Sequence, residues 1–276
     1  MNPGLAAGVI VVSAAVMVAI MLFVRKHSPD GGLFVDTNRA ADVSTFLGTG
    51  FAILLGFVIF LSFGTYEAGA GHADAEAAAV VSQFRASADF DGPLASDAKG
   101  QLVCYARSVI SQEWPSMASG ERSPVTEMWI VALDDTGVQQ QNATSTGAQP
   151  IQNWWESTNA RQLERSGRIL VSKGQIPTLL WALLVIGAVL VVGWVLFSAD
   201  PRERRIAQAS MMACVTILVV ASLLAVQVMS SPFSGESGSV DAGSMEFSLV
   251  QMDKFAKAEG VTPTVFCDTS GVPLEK

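Results

Sequence analysis

Apolar residues gather in four long runs, at positions 5–24, 46–63, 176–197 and 206–229. Each is long enough to cross a hydrocarbon core of about 30 Å as a helix. None contains Asp, Glu, Lys, Arg or His. Between and beyond the runs, apolar positions recur every three or four residues, the rhythm of amphipathic helices. The pattern predicts an all-α integral membrane protein with four transmembrane helices and a helical extramembrane domain between spans 2 and 3.

The second run has no break at its polar end. It continues through Tyr66 and an Ala-rich acidic stretch to Phe84 without proline or turn residues. One long helix, half in lipid and half in water, is the expectation. In its wet half Tyr66, Ala70, Ala73, Ala77, Val80 and Phe84 alternate by four and three, as on a packed seam. Glu67, Asp74 and Glu76, with His72, read as the solvated face of that helix rather than as a metal cluster.

The expected segments are span 1 over 1–24, a loop over 25–45 with a Pro-Asp-Gly-Gly turn, span 2 over 46–63 and a helical section over 64–175. Span 3 covers 176–197, a basic turn 198–205, span 4 206–229, and a tail 230–276. Within the helical section, a helix over 94–114 should end at Pro115. Ser123-Pro124 reads as an N-cap with proline in the first turn, opening a helix through Leu133. The polar stretch 137–150 reads as a loop, and 151–173 as a further helix. Residues 232–235 read as a helix stop and turn, followed by a docking helix over 244–258.

Basic residues in the short loops set the orientation. Arg25 and Lys26 follow the first run with no basic leader before it, unlike a secretory signal, so it reads as a retained anchor with its N-terminus outside. Arg202, Arg204 and Arg205 lie in the turn between the last two runs, on the same side as the first loop. That side is the cytoplasm, in a multi-pass protein of a bacterial plasma membrane. The two inner loops hold six Lys and Arg against five Asp and Glu, leaving eleven against twenty outside. The acidic excess, within a net charge of −8, excludes nucleic acid as a partner.

Charge and hydropathy also limit the chemistry. Charged residues make up 15% of the 276-residue chain, against about a quarter in a typical soluble domain. The two histidines, His27 and His72, fall on opposite sides of the membrane, which leaves little for a zinc site or a histidine base. Gly48-Thr-Gly50 lacks the third glycine of a dinucleotide loop and precedes a membrane helix. No enzymatic activity, cofactor or metal is expected. Spans free of ionisable groups speak against ion-coupled pumping but not against a passive pore with an apolar constriction. Ile53, Phe57 and Phe60 share one face of span 2 at spacings of four and three; they suit a dewetting collar in an oligomer, or a packing or lipid-facing surface. Gly48, Ala52, Gly56 and Ser62 offer small residues for close helix contact.

Cys214 lies in span 4 and reads as a packing residue. Cys104 and Cys267 are both expected outside, where a disulfide would tie the tail to the helical section. Sequence alone leaves them bridged or free. Asn142-Ala-Thr144 fits a glycosylation triplet.

Three groups of residues carry a resemblance. The first is span 2 running into Tyr66-Glu67-Ala68 and Ala75-Glu76-Ala77. The second is Leu102-Val-Cys-Tyr105-Ala-Arg-Ser-Val109-Ile with Glu113-Trp114-Pro115, and the third is Pro232-Phe233-Ser234-Gly235-Glu236 after span 4. In order and spacing, over about residues 45–255, these resemble the bestrophin-like family of bacterial multi-pass membrane proteins. The resemblance implies kinship with the true bestrophins, which are pentameric anion channels with an aromatic-lined neck on the second span. It makes a homo-oligomer and a permeant anion the expected partners, besides the lipid bilayer. In true bestrophins a Pro-Phe-Gly-acidic segment helps form a calcium clasp in the cytoplasm. Here a serine is inserted, the dense acidic run is missing, and the loop charges place the segment outside. Two functions stay open: a passive oligomeric anion channel, and a membrane-anchored scaffold whose outer helical domain binds a partner.

Overall fold

The computed structural model describes residues 2–29, 37–90, 92–143, 148–174 and 176–274. Nine α-helices carry these residues: α1 Pro3–His27, α2 Thr37–Ala86, α3 Pro93–Ser108, α4 Trp114–Met117, α5 Pro124–Ala143, α6 Ala148–Ser172, α7 Thr178–Phe197, α8 Arg205–Ser230 and α9 Gly243–Glu259. A π-helical turn, Val109–Glu113, joins α3 to α4. Among the described residues β-pairing is limited to one bridge, Cys267 with Pro273. Four helices are long and apolar enough to cross a membrane: α1, α2, α7 and α8. The protein is an all-α membrane protein with four spans.

The chain divides into two compact units, 1–65 with 175–230 and 236–238, and 66–174 with 231–235 and 239–276. α2 supplies helix to both.

In the first unit α1 begins at an Asn2 cap whose side chain accepts from the Gly4 amide at 3.3 Å. It ends on Arg25, Lys26 and His27, which suit the negative end of the helix dipole. Met21 and Val18 of α1 pack with Met212 and Ala209 of α8. Phe51, Leu55 and Val58 of α2 pack against Leu184 and Ala188 of α7 and Val219 and Val226 of α8. Of the four small residues expected to serve close contact, Ser62 is buried and the other three are not. A Cβ added at Gly48 or Gly56 would meet nothing within 4 Å, and Ala52 is exposed, so these residues serve no close helix contact within the chain. The close approach is at Gly187 on α7, where a Cβ would lie 2.6 Å from the Phe51 ring. Cys214 is likewise exposed on α8 rather than packed.

The second unit is a helical body around Val80, Phe84, Leu102, Tyr105, Leu133, Trp154 and Met252. Ala73, Ala77, Val80 and Phe84, four positions of the anticipated seam on α2, are all buried. α9 packs on this body through Met245, Met252 and Ala256. The tail beyond it is pinned to the unit. Trp129 Nε1 donates to the Gly271 carbonyl at 2.7 Å, and Arg107 Nη1 to the Asp268 carbonyl at 3.2 Å. Cys104 and Cys267 are bonded, with Cα atoms 5.7 Å apart. The tail also lies hard against Gly100, where a Cβ would be 1.7 Å from the Thr264 carbonyl oxygen. We expect Gly100→Ala to lower stability by about 1–3 kcal/mol through overpacking. Thermal unfolding of the purified protein checks this; an unchanged melt would mean that the tail does not dock here.

Local structure departs from the sequence reading in three places. Pro115 does not end a helix; the chain widens into the π turn and continues into α4. The missing proline N–H and the bulk of its ring are absorbed by the wider turn. The helix begun at Pro124 passes Leu133 and reaches Ala143, so 137–143 is helix and not loop. Glutamine is a fair helix former, and Gln139 donates to Asp135 one turn back at 2.8 Å. Gly137 fits there because a Cβ would meet Trp154 Nε1 at 2.4 Å. The expected inner loop 25–45 is shortened from both ends, by α1 to His27 and by α2 from Thr37. Its turn glycines, like Thr144 of the glycosylation triplet, lie outside the described residues.

Candidate functional site

Two features stand out, one in each unit. In the first unit α2 buries Phe51, Leu55, Val58 and Ser62 and turns the opposite face outward. On that face Phe46, Ile53, Phe57 and Phe60 follow at spacings of seven, four and three. Ile53 is 69% exposed, Phe57 57% and Phe60 71%. All three lie outside the packed clusters of the described residues, which leaves the face for lipid or for another copy. An uncharged stripe of this kind can seal against acyl chains, or narrow an aqueous path without binding the permeant ion.

The topology residues differ from one another. Arg25 is buried and fastened to the turn before α8. Its Nη1 donates to Gln208 Oε1 at 2.7 Å, and its Nη2 to the Pro201 carbonyl at 2.8 Å and to the Glu203 carbonyl. Lys26, Arg202, Arg204 and Arg205 are exposed.

The second unit holds an ionic network that the sequence reading missed. Its acids are Glu76 on α2 and Glu113 in the π turn; its bases are Arg161, Arg165 and Arg168 on α6. All five are buried. Arg168 Nε donates to Glu76 Oε2 at 2.6 Å, and its Nη2 to Glu113 Oε2 at 2.7 Å. Arg165 donates to both Glu113 oxygens and, at 3.1 Å, to Glu127 at the rim. Tyr105 donates its phenol proton to Glu76 Oε1 at 2.7 Å. The Trp114 ring lies 5.0 Å from the Arg168 guanidinium, and Tyr105 4.6 Å from that of Arg161.

Burial fixes the protonation states. It pushes the Tyr105 phenol well above its ordinary pKa of 10.0, and the Glu76 charge adds to the effect, so Tyr105 stays a neutral donor. At Glu113 burial works against the charge, but the hydrogen bonds and charges of Arg165 and Arg168 outweigh it. The carboxyl lies below its ordinary 4.5. Burial also works against the two arginines, yet Glu113 holds Arg165, and Glu76 with Glu113 holds Arg168, above the ordinary value. The set is a fixed brace joining α2, the π turn and α6.

Glu76 thus corrects the expected solvated face: Glu67 and Asp74 are exposed, but Glu76 is not. His72 instead pairs with Glu164 at 2.7 Å, and Asp74 accepts from Ser244. No three His, Cys, Asp or Glu among the described residues are grouped as a metal site would need. The signal that could have located the brace was on α6. Trp154, Thr158, Arg161, Arg165 and Arg168 repeat by four and three, a seam pattern with arginine at its packing positions. Pro232–Gly235 forms a turn, with Phe233 buried edge-on against Trp114 at 5.4 Å.

Comparison with known proteins follows this architecture. A crystal structure of a bacterial Bestrophin homolog from Klebsiella pneumoniae, a single-substitution variant, superposes with a TM-score of 0.71 at 11% identity. The match covers 92% of this chain and 98% of that one. Another variant of the homolog gives a TM-score of 0.66 at 13% identity, over 88% and 98% of the two chains. A further crystal structure, of a membrane protein variant, gives 0.71 at 11% identity over 92% and 100%. Such identities show a shared fold. Among curated protein sequences none matches this chain. The Bestrophin-like domain profile matches residues 7–240, most of the sequence. On that match, with four apolar spans and a helical section between the second and third, the chain belongs to the Bestrophin-like family.

Proposed function

We propose that this protein is a passive, oligomeric channel for small anions, with the outward face of α2 in its wall. The exposed stripe of Ile53, Phe57 and Phe60 carries the reading. Large apolar side chains pointing away from their own chain, on a span without ionisable groups, suit a constriction built by several copies. Family membership supports it, since the bestrophins that the sequence resembles conduct anions. No enzymatic step is assigned; Glu76 and Glu113 are locked to Arg165 and Arg168.

The proposed orientation puts Arg25, Lys26, Arg202, Arg204 and Arg205 on the cytoplasmic side of a bacterial plasma membrane. The helical unit and the tail then lie outside. A bond between Cys104 and Cys267 agrees with that, since disulfides persist in oxidising compartments.

Planar-bilayer recording on the purified protein tests the function. Chloride current should exceed gluconate current, and Phe57→Ala should change conductance roughly two-fold or more by widening the collar. Silence across voltages and anions would remove the channel, as would a strictly monomeric mass in detergent. A membrane-anchored scaffold is the second reading. Phe247 and Val250, exposed on α9, favour it, and it predicts that silence.

A further inference from the structure

The brace in the helical unit leaves one base over. Glu113 is shared by Arg165 and Arg168, Glu76 serves Arg168 and Tyr105, and Glu127 at the rim completes Arg165. Arg161 is fully buried and makes no ion pair with any described residue. Its Nε donates to Gln83 Oε1 at 2.9 Å, and Gln83 is itself held by Thr158 at 2.7 Å. Its plane lies over the Tyr105 ring. Both Nη atoms are buried without a hydrogen-bond partner. A buried guanidinium cannot shed its proton. Leaving its charge and four N–H bonds unanswered is among the costliest arrangements a fold can hold.

Asp134 on α5 lies within electrostatic range of Arg161, but its carboxylate oxygens accept from Gln162 at 3.3 Å. Trp154, two turns before Arg161 on the same face of α6, adds another buried donor without a partner, its indole N–H, set against Gly137 of α5. Arg161 itself reaches across from α6 to Gln83 of α2 and Tyr105 of α3. All the unanswered groups on this face are therefore donors. Arg165 and Arg168 are answered by Glu76, Glu113 and Glu127, whereas Arg161 has no direct acidic partner among the described residues.

From this we infer that the Nη1 and Nη2 atoms of Arg161 bind a small monovalent anion inside the helical unit, as a structural ligand. One negative charge answers the single guanidinium that lacks a direct acidic partner. The guanidinium fork suits a halide or a small planar anion such as nitrate. Water could accept the same hydrogen bonds but would leave the charge unbalanced. The inference does not rest on conduction, because a silent protein would still need this charge answered.

The test uses the full chain in detergent, with bromide as probe. At constant ionic strength, replacing gluconate by bromide should raise the melting temperature by several degrees, with saturation. Arg161→Met should lose that dependence. Crystals grown in bromide should show an anomalous peak within hydrogen-bond reach of Arg161 Nη1 and Nη2. Should Arg161→Met fail to fold, the anomalous peak alone decides. A water there, an absence of halide dependence in the wild type, or equal dependence in the variant would overturn the assignment.

Discussion

Glu113→Gln should destabilise the protein by about 3–5 kcal/mol at neutral pH, the usual cost of removing one partner from a buried ion pair. Glutamine keeps the shape but not the charge, so two guanidinium groups lose their shared anion. Arg165 retains Glu127 at the rim and Arg168 retains Glu76. The loss should therefore be severe without abolishing the fold. The effect carries a pH signature. Because the Glu113 carboxyl is lowered in the folded chain, its contribution is fully present above the ordinary value of 4.5. It is lost as pH falls through the lower folded value. Melting curves of wild type and variant should stand apart at pH 7 and converge only under acid conditions below about 4.5. Matching curves at pH 7 would show that the brace does not hold the unit together.

A second large effect is expected at the tail. Cys104 and Cys267 are 163 residues apart in sequence, so their bond closes a long loop in the unfolded chain. Replacing both by alanine should cost about 2–5 kcal/mol. The variant should also raise hydrogen exchange across 260–274, because only non-covalent contacts, such as those of Trp129 and Arg107, would then hold the segment. Mass measurement of protein alkylated during lysis, without reductant, reads the bond as it exists in cells. One alkyl group, on Cys214, is expected; three would remove both the bond and the argument it lends to an outer location.

The spans were legible because each run is long, uncharged and bounded by polar residues, features that survive without tertiary information. The α2 seam was legible for a similar reason, since Ala73, Ala77, Val80 and Phe84 keep a helical period. Glu76 escaped because an acid among alanines looks the same wet or buried, and only Arg168 on a distant helix decides the matter. Gly187 gave no sign, since its partner Phe51 lies far off in sequence. The π turn at Val109–Glu113 escaped because a proline normally announces a stop. The exposed face of α2 was visible as spacing, but a single chain carries no mark of what lies opposite.

The clasp between Arg25 and the turn before Gln208 bears on how the protein is made. α1 leaves the ribosome well before its packing partner α8, which is completed about 200 residues later. At roughly 5–20 residues per second, translation needs some 10–40 s to supply that partner. Throughout that interval α1 sits in the bilayer without the neighbour it finally holds. The guanidinium that later grips three acceptors must meanwhile rest among water and headgroups at the membrane edge.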